Sequence, residues 1–372
     1  MKITDVEAIP LSMPIEPGAH RTWWGDYPTV SIVLAKVTTD DGITGWGEGL
    51  ARYQPQAYAD IITGLLKPKY LGGNPFDAEK LWAAAFRSMS GKSGGVLMEC
   101  IAAVDTALWD VMGKATGQPI HRLLGGMGRT RVAAYASSIS WNHEEMAGKQ
   151  IAAGLAQNYR MLKVKLGGTA DESIAYARWV REQVPAHVKL CADANFLFDL
   201  DDAIRVARGL YALDFFWFEE PIAPEDSDGY RRLRAAVPEM RIAAGESEHT
   251  SFGSRELLAS RAVGVFQPDC ARSGGITETR KMAHVAHAFN IAFAPHIGGG
   301  GAVSAAANLQ LSAALPNFLT YESMIFKSPL REELATTRVG MVDPADGMVP
   351  VPEGPGLGIE INLDTLERYR TR

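Results

Sequence analysis

Three acidic residues recur at nearly regular intervals in the middle of the chain, and each of them closes a short apolar run. Asp193 ends the run VKLCAD, Glu219 ends FFWFE, and Glu246 ends MRIAAGE. The separations of about 26 and about 27 residues match the length of one strand–helix unit. This spacing predicts successive parallel strands that each carry a carboxylate at the carboxyl end.

Parallel strands of a β/α barrel all open onto the same face at their carboxyl ends, so the three acids are expected to meet there. Three adjacent carboxylates repel one another unless a positive charge lies between them. A hard divalent cation with oxygen ligands resolves the conflict, and Mg²⁺ fits this donor set best. The sequence therefore predicts one Mg²⁺ per chain, held by Asp193, Glu219 and Glu246.

Length and charge narrow the classes of protein to which the chain can belong. With 372 residues, the chain is long enough for a complete (β/α)₈ barrel and a smaller domain. The net charge of −6 argues against nucleic acid or an anionic membrane as the main partner. The amino terminus lacks the pattern of a signal peptide, and no apolar run is long enough to span a bilayer. The three scattered cysteines favour a reducing environment, so we expect a cytoplasmic protein.

The first 125 residues predict a small α+β domain. Alternating apolar residues indicate strands at Lys2–Ile9, Val30–Thr38 and Gly45–Glu48. Residues 55–115 have the apolar spacing of helices, most clearly in Val96–Met112. The glycines at 125 and 126 mark the boundary with the next domain.

Residues 126–326 alternate between strand and helix patterns, which predicts a (β/α)₈ barrel with the first domain as its cap. Two of the predicted helices are Asp171–Gln183 and Leu200–Tyr211. Residues 327–372 form a tail that is expected to return over the capping domain and to end in a strand at Ile359–Leu363. The eight predicted strands are Val132–Ser138, Leu162–Leu166, Val188–Asp193, Phe215–Glu219, Ile242–Glu246, Val263–Asp269, Ile291–His296 and Phe318–Glu322.

Other strands of this set also carry residues that can do chemistry. Strand alternation places Lys163 and Lys165 on the same inward side of the second strand. The sixth, seventh and eighth strands are predicted to end at Asp269, His296 and Glu322. Each residue alone is typical of a helix cap or of a solvated surface. Together, in one register, they indicate an active site.

With these residues in place, the sequence resembles the mandelate racemase branch of the enolase superfamily, over nearly its whole length. The resemblance rests on the three acids, with Glu219 in Phe-Glu-Glu-Pro and Glu246 in Gly-Glu-Ser, and on the pair Lys163 and Lys165. The related muconate-lactonizing branch has a lysine where this chain has Asp269. The pairing of Asp269 with His296 is what favours the mandelate racemase branch.

The resemblance implies removal of a proton next to a carboxylate, through an enediolate. Lys163 would contact the substrate carboxylate and, as a nearby positive charge, favour the neutral form of Lys165 that a base requires. Asp269 would orient the imidazole of His296 and favour its protonated form. Glu322, if protonated, would donate a hydrogen bond to the second carboxylate oxygen.

Two acid–base groups allow several outcomes. Dehydration of a sugar acid to a 2-keto-3-deoxy acid is the first hypothesis, because many relatives with this set of motifs catalyse it. Racemisation or epimerisation and lactone cycloisomerisation are the alternatives on the same site. A non-catalytic protein that keeps the fold is the hypothesis from another class.

The substrate is predicted to be a small carboxylate, most simply a polyhydroxy acid. In the family, two loops of the capping domain choose the substrate, and here they correspond to Pro14–Tyr27 and to the residues after Glu48. The resemblance also implies a homo-oligomer. The candidate substrate contacts are Trp23, Trp24, Arg52, Tyr53 and Asn195, although paired tryptophans are more often local packing and Asn195 suits a helix cap equally well.

Overall fold

The amino-terminal strands form a three-stranded antiparallel sheet in the order β1-β4-β5. The computed structural model describes residues 1–89 and 94–371. The loop between β1 and β4 contains a small hairpin, β2–β3. The five strands are β1 (Ile3–Pro14), β2 (Arg21–Thr22), β3 (Gly25–Asp26), β4 (Thr29–Thr39) and β5 (Thr44–Gly49).

A long helix, α4, packs directly on strand β5. A Cβ atom at Gly47 would overlap the carbonyl oxygen of Ala103 in α4, so only glycine allows this close approach. Most residues of α4 are buried, which explains the long apolar pattern around Val96–Met112. The predicted helical region 55–115 is confirmed in part, and its residues 90–93 lie outside the described residues. The helices are α1 (Pro55–Ile61), α2 (Lys67–Tyr70), α3 (Ala78–Phe86), α4 (Val96–Thr116) and α5 (Ile120–Leu123), with a π-helical turn at Ile62–Leu66 and a 3₁₀ turn at Pro75–Asp77.

Eight parallel strands follow and form the predicted barrel. The eight strands are hydrogen-bonded side by side in the order β12-β11-β10-β9-β8-β7-β6-β13, which gives seven neighbouring pairs. A parallel bridge between Phe293 and Phe318 brings the two ends of this sheet together. The strands are β6 (Arg131–Ile139), β7 (Met161–Lys165), β8 (Lys189–Asp193), β9 (Phe215–Glu219), β10 (Ile242–Ala244), β11 (Val265–Phe266), β12 (Ala292–Phe293) and β13 (Tyr321–Met324).

Helices connect these strands on the outside, as the sequence pattern predicts. α7 begins with a capping box in which Thr169 and Glu172 satisfy each other's backbone N–H groups. The predicted helices 171–183 and 200–211 each agree with the structure to within one residue. The helices are α6 (Glu144–Ala156), α7 (Ala170–Gln183), α8 (Leu200–Ala212), α9 (Ser227–Ala236), α10 (Thr250–Ala259), α11 (Gly275–Ala288), α12 (Ala302–Ala314) and α13 (Pro329–Glu332).

Strand alternation sorts the barrel side chains into an apolar floor and a polar mouth. In the middle of β8 and β9, Cys191 and Trp217 belong to a small buried apolar cluster. Two residues further on, Asp193 and Glu219 end the same strands. Neighbouring registers pair Lys165 with Asp193 and Asp193 with Glu219, so these polar groups occupy one layer.

The carboxyl-terminal tail differs from its prediction. The predicted strand at 359–363 is wrong, because this stretch makes only an isolated bridge at Ile361 and then enters helix α14 (Leu363–Tyr369). A strand forms earlier instead, β14 (Met348–Pro350), which pairs antiparallel with β6 of the barrel. At its end the tail reaches the capping sheet, where Arg370 bridges to Leu11 in β1. The domain limits at residues 125 and 326 stay predictions.

Among the described residues, no helix combines the length and apolar character needed to cross a membrane.

Candidate active site

The three acids predicted to bind a metal lie together at the mouth of the barrel. One oxygen atom from each of Asp193, Glu219 and Glu246 lies within 4.8 Å of the other two, and all three side chains are buried. Three buried carboxylate oxygens at this separation can share one small divalent cation. The donor set contains oxygen alone, which favours Mg²⁺ over metals that prefer nitrogen or sulfur.

The backbone before Glu246 explains how the third acid reaches this position. Gly245 has φ 136°, a conformation that side chains strongly disfavour. A Cβ atom there would also lie only 2.7 Å from the Phe266 ring. The glycine therefore allows the chain to turn at the end of β10 and to direct Glu246 toward Asp193 and Glu219.

Four of the predicted strand ends are wrong in detail. Glu246, Asp269 and His296 lie two or three residues beyond β10, β11 and β12, which are only two or three residues long. Glu322 lies inside β13 rather than at its end. The polar side chains beyond β11 cap turns, as when Asp269 accepts a hydrogen bond from the backbone N–H of Ala271 at 2.8 Å. Such turns end the regular pairing before the functional residue is reached.

Lys163 lies at the centre of the acids. Its Nζ atom contacts Glu219, lies 2.9 Å from Glu322 Oε1, and lies 3.5 Å from Asp193 Oδ2. Burial disfavours the charged ammonium group, but Glu219 and Glu322 outweigh it and hold the pKa of Lys163 well above its ordinary value. These carboxylates favour the charged form of Lys163, which suits it to bind a carboxylate.

Lys165 projects into the same mouth, two residues further along β7. Its Nζ atom donates to Asp193 Oδ2 at 2.6 Å and to Asn195 Oδ1 at 3.0 Å. Asn195 has a positive φ of 43° and donates its backbone N–H to Asp193 Oδ1 at 2.9 Å. This turn brings the amide side chain beside Lys165, so Asn195 lies in the site, and the cap of the next helix is Asp199 instead.

His296 forms a dyad with Asp269, as the sequence predicts. Its Nδ1 atom lies 2.9 Å from Asp269 Oδ2, and its Nε2 atom lies 3.2 Å from Glu246 Oε2. Burial disfavours the imidazolium ion, but Glu246, Glu322 and Asp269 outweigh burial and raise the pKa of His296 above its ordinary value. The protonated form of His296 is thus stabilised at neutral pH.

Glu322 does not match the expectation of a protonated donor. Its Oε1 accepts from the Ser137 hydroxyl at 2.6 Å, and its Oε2 accepts from the Ile297 N–H at 2.7 Å. Burial raises the pKa of the carboxyl group, but Lys163 and His296 outweigh burial and hold that pKa well below its ordinary value. Glu322 is therefore an ionised acceptor that orders Lys163 and the loop after His296.

A cavity opens above these groups and extends under the capping domain. Lys165, Glu246, His296 and Glu322 line it from the barrel. Of the five candidate substrate contacts, Trp24, Arg52 and Asn195 line the cavity as well.

Two of the candidate substrate contacts are not part of the cavity wall as described. Tyr53 is 59% exposed and is not among the residues that line the cavity. Trp23 instead holds its loop on the barrel, since its Nε1 atom donates to the carbonyl oxygen of Asn195 at 3.0 Å. Local packing, the alternative expected for the paired tryptophans, therefore describes Trp23, whereas Trp24 lines the cavity.

Sequence reasoning missed several residues of the cavity wall, and His20 is the clearest of them. Its ring lies 4.5 Å from the ring of Tyr27 and 5.2 Å from that of Phe326, and its Nδ1 atom has no hydrogen-bond partner. Burial and the positive charges of Lys165 and Arg52 lower the pKa of His20 to about 3, so its imidazole is neutral. A histidine in a loop gives no periodic signal, and only the fold brings it here.

The comparisons with known proteins agree with this architecture. Residues 9–125 match the family model described as mandelate racemase / muconate lactonizing enzyme, N-terminal domain, and residues 146–365 match the model described as enolase C-terminal domain-like. The chain therefore belongs to the mandelate racemase branch of the enolase superfamily, and the predicted family is confirmed. It is an enzyme of this superfamily, which argues against the hypothesis of a non-catalytic scaffold.

Individual relatives cover nearly the whole chain. The chain is 33% identical over 357 residues to a D-galactarolactone cycloisomerase of Agrobacterium fabrum, with 91% of each chain covered. It is 32% identical to an arabinonate dehydratase of Saccharolobus solfataricus, with 92% of this chain and 91% of the relative covered. A racemase from Streptomyces coelicolor, solved with bound magnesium, superposes with a TM-score of 0.89 at 26% identity, over 99% of this chain and 100% of the other.

Proposed function

We propose that this enzyme dehydrates a sugar acid to a 2-keto-3-deoxy acid, by removing the proton next to the carboxylate. The observation that carries the proposal is that Lys165, on β7, and His296, in the loop after β12, line the same cavity beside the three acids. One group can remove the proton and the other can protonate the leaving group. The similarity to an arabinonate dehydratase supports this choice of reaction.

The metal that we propose for this site is Mg²⁺, one per chain. Asp193, Glu219 and Glu246 would hold it, because one oxygen of each lies within 4.8 Å of the other two and all three side chains are buried. When bound, Mg²⁺ supplies positive charge that stabilises a substrate carboxylate as it gains electron density. The Streptomyces coelicolor racemase with bound magnesium supports the choice of metal.

The acid–base step can be followed through the residues of this chain. Lys165 or His296 takes the proton from the carbon next to the carboxylate, and the C–H electron pair moves into the carboxylate to give an enediolate. That pair then returns to the chain as the C–O bond at the neighbouring carbon breaks. The leaving hydroxyl takes a proton from His296 and departs as water. The enol that remains rearranges to the 2-keto-3-deoxy acid.

The charges around the site support these roles. Lys163 keeps its positive charge and can bind the substrate carboxylate. His296 has a raised pKa and can therefore supply the proton that the leaving hydroxyl needs. Glu322 is ionised, so its role is to hold Lys163 and the backbone N–H of Ile297 in place.

The cavity wall supports a polyhydroxy acid as the substrate. Hydroxyl groups of threonine, serine and tyrosine line it together with the neutral imidazole of His20. Such groups can both donate and accept hydrogen bonds, as a chain of substrate hydroxyls requires. A cytoplasmic location, a homo-oligomer and the lack of a nucleic-acid partner remain proposals from the sequence.

Lactone cycloisomerisation is the second candidate, because one relative at 33% identity is a D-galactarolactone cycloisomerase. That reaction also begins with removal of a proton next to a carboxylate, but no water leaves the molecule. Racemisation or epimerisation would return the proton to the opposite face without any bond breaking at the next carbon. The same site can serve each outcome, so the product must be measured.

The test is a panel of mono- and diacid sugars and their lactones, incubated with Mg²⁺ in D₂O. NMR reports exchange of the proton next to the carboxylate, and mass spectrometry reports loss of water. Dehydration predicts a 2-keto product that lacks one water. Isomers of unchanged mass would favour cycloisomerisation or epimerisation. If no acid in the panel shows either exchange or turnover, the proposed reaction class is wrong.

A further inference from the structure

An arginine beside the site connects a metal ligand to the capping domain. Arg272 follows Asp269 in the loop that leads into α11, and its side chain is 11% exposed. Its Nη1 atom donates to the carbonyl oxygen of Glu246 at 2.6 Å and lies 3.7 Å from Glu246 Oε1. The guanidinium group thus contacts both the backbone and the carboxylate of one metal-binding residue.

The Nε atom of the same guanidinium group is held by the capping domain. Arg272 Nε donates to Glu99 Oε1 at 3.1 Å, and Glu99 lies on α4 of the capping domain. The second oxygen of Glu99 accepts from the hydroxyl of Tyr58 at 2.8 Å. Glu99 is itself buried at 5% exposure, so its carboxylate is fixed by two partners.

We propose that Glu99, acting through Arg272, is a positioning residue for the metal ligand Glu246. This inference rests on the proposed metal site. A planar guanidinium group held by Glu99 can donate to the Glu246 carbonyl oxygen from a fixed angle, which orients the carboxylate toward the other two acids. The capping domain would then contribute to metal affinity as well as to substrate binding.

Removal of the Glu99 carboxylate should lower the affinity for the metal, for reasons of charge. Without the carboxylate of Glu99, Arg272 is free to move the short distance onto Glu246 Oε1. That contact would compete with a cation for the same oxygen, and Arg52 already lies 3.2 Å from it. Loss of one negative charge near the site also weakens cation binding. Both effects lower metal affinity.

The experiment measures Mg²⁺ binding by calorimetry on metal-free protein, so it needs no substrate. Glu99→Gln keeps the shape and can still contact Tyr58, but it no longer holds the guanidinium charge. We expect its Kd for Mg²⁺ to rise about 10–100-fold, the usual cost of losing a partner of a metal ligand. Arg272→Lys should raise the Kd similarly, because an ammonium group cannot reproduce the two-sided bridge.

Asp110→Asn is the matched control. Asp110 lies on the same helix, is buried, and accepts hydrogen bonds from the backbone N–H groups of Trp46 and Leu357 at 2.9 and 2.8 Å. It should lose stability but keep the wild-type Kd. An unchanged Kd in both Glu99→Gln and Arg272→Lys would overturn the positioning role. A wild-type protein that binds no Mg²⁺ would instead overturn the metal site itself.

Discussion

Replacement of Glu48 by glutamine should remove a pH-dependent part of the free energy of unfolding. Glu48 lies one residue before the end of β5 in the capping sheet, but it accepts hydrogen bonds at the start of barrel helix α12, from Gly301 N–H at 2.6 Å and Ser304 N–H at 3.0 Å. Burial raises the pKa of this carboxyl group from 4.5 to about 7, even though these N–H groups act in the opposite direction.

The magnitude follows from that shift. At about 1.4 kcal/mol per pKa unit, the rise corresponds to about 3 kcal/mol. The folded protein holds the proton more tightly than the unfolded chain does. The stabilisation is therefore fully present below pH 4.5 and is lost as the pH rises through about 7. Most of this stabilisation, about 2–3 kcal/mol, is lost between pH 5 and pH 8.

The assay is denaturant-induced unfolding of the wild type and of Glu48→Gln at pH 5 and pH 8. Because other buried acids also titrate, the difference between the two proteins is the quantity to compare. That difference should shift by about 2–3 kcal/mol in favour of glutamine at the higher pH. Glu360→Gln, at an exposed position, should show no such shift. A difference between wild type and Glu48→Gln that is constant from pH 5 to pH 8 would refute the reasoning.

Three further outcomes test the site. If Lys165 is the base, Lys165→Ala should lose exchange of the proton next to the carboxylate, whereas His296→Asn should keep this exchange and lose elimination. Each loss should be roughly 10²–10⁴-fold and can be measured by NMR in D₂O. Elimination at the wild-type rate in both variants would contradict these roles. Glu219→Gln should weaken Mg²⁺ binding and abolish turnover, and full activity with the metal shown to be absent would exclude the proposed chemistry. His20→Phe should keep the packing of the ring but remove one hydrogen bond to the substrate. We therefore expect KM for polyhydroxy acids to rise about tenfold with little change in kcat. An unchanged KM across the panel of acids would show that His20 does not contact the substrate.

The sequence alone determined the barrel and the position of the three acids along it. Apolar runs that alternate with helix patterns at a nearly fixed interval leave few folds available, because parallel strands need helical crossovers. The two-residue period of a strand then fixed which side chains face inward, as for Lys163 and Lys165. These features are local, so they can be read without the fold.

Loop geometry and element ends were decided by tertiary structure. His20 reaches the cavity because the loop around it is held on the barrel, for example by the hydrogen bond from the Ser140 hydroxyl to the Gly18 carbonyl oxygen at 2.8 Å. Tyr53, from the other capping loop, remains exposed. No periodicity governs such loops, so their side chains cannot be assigned to the site from sequence.

Charge states were also decided by the fold. Glu322 is an ionised acceptor because Lys163, from β7, and His296, from the loop after β12, lie beside it. Glu99 meets Arg272 across 173 residues of sequence. The energy of a buried charge depends on every neighbour within a few ångströms and on its loss of water, and both are properties of the packed structure. The sequence could therefore name the acids and bases of this site, while their protonation and their partners across the domain boundary came from tertiary structure.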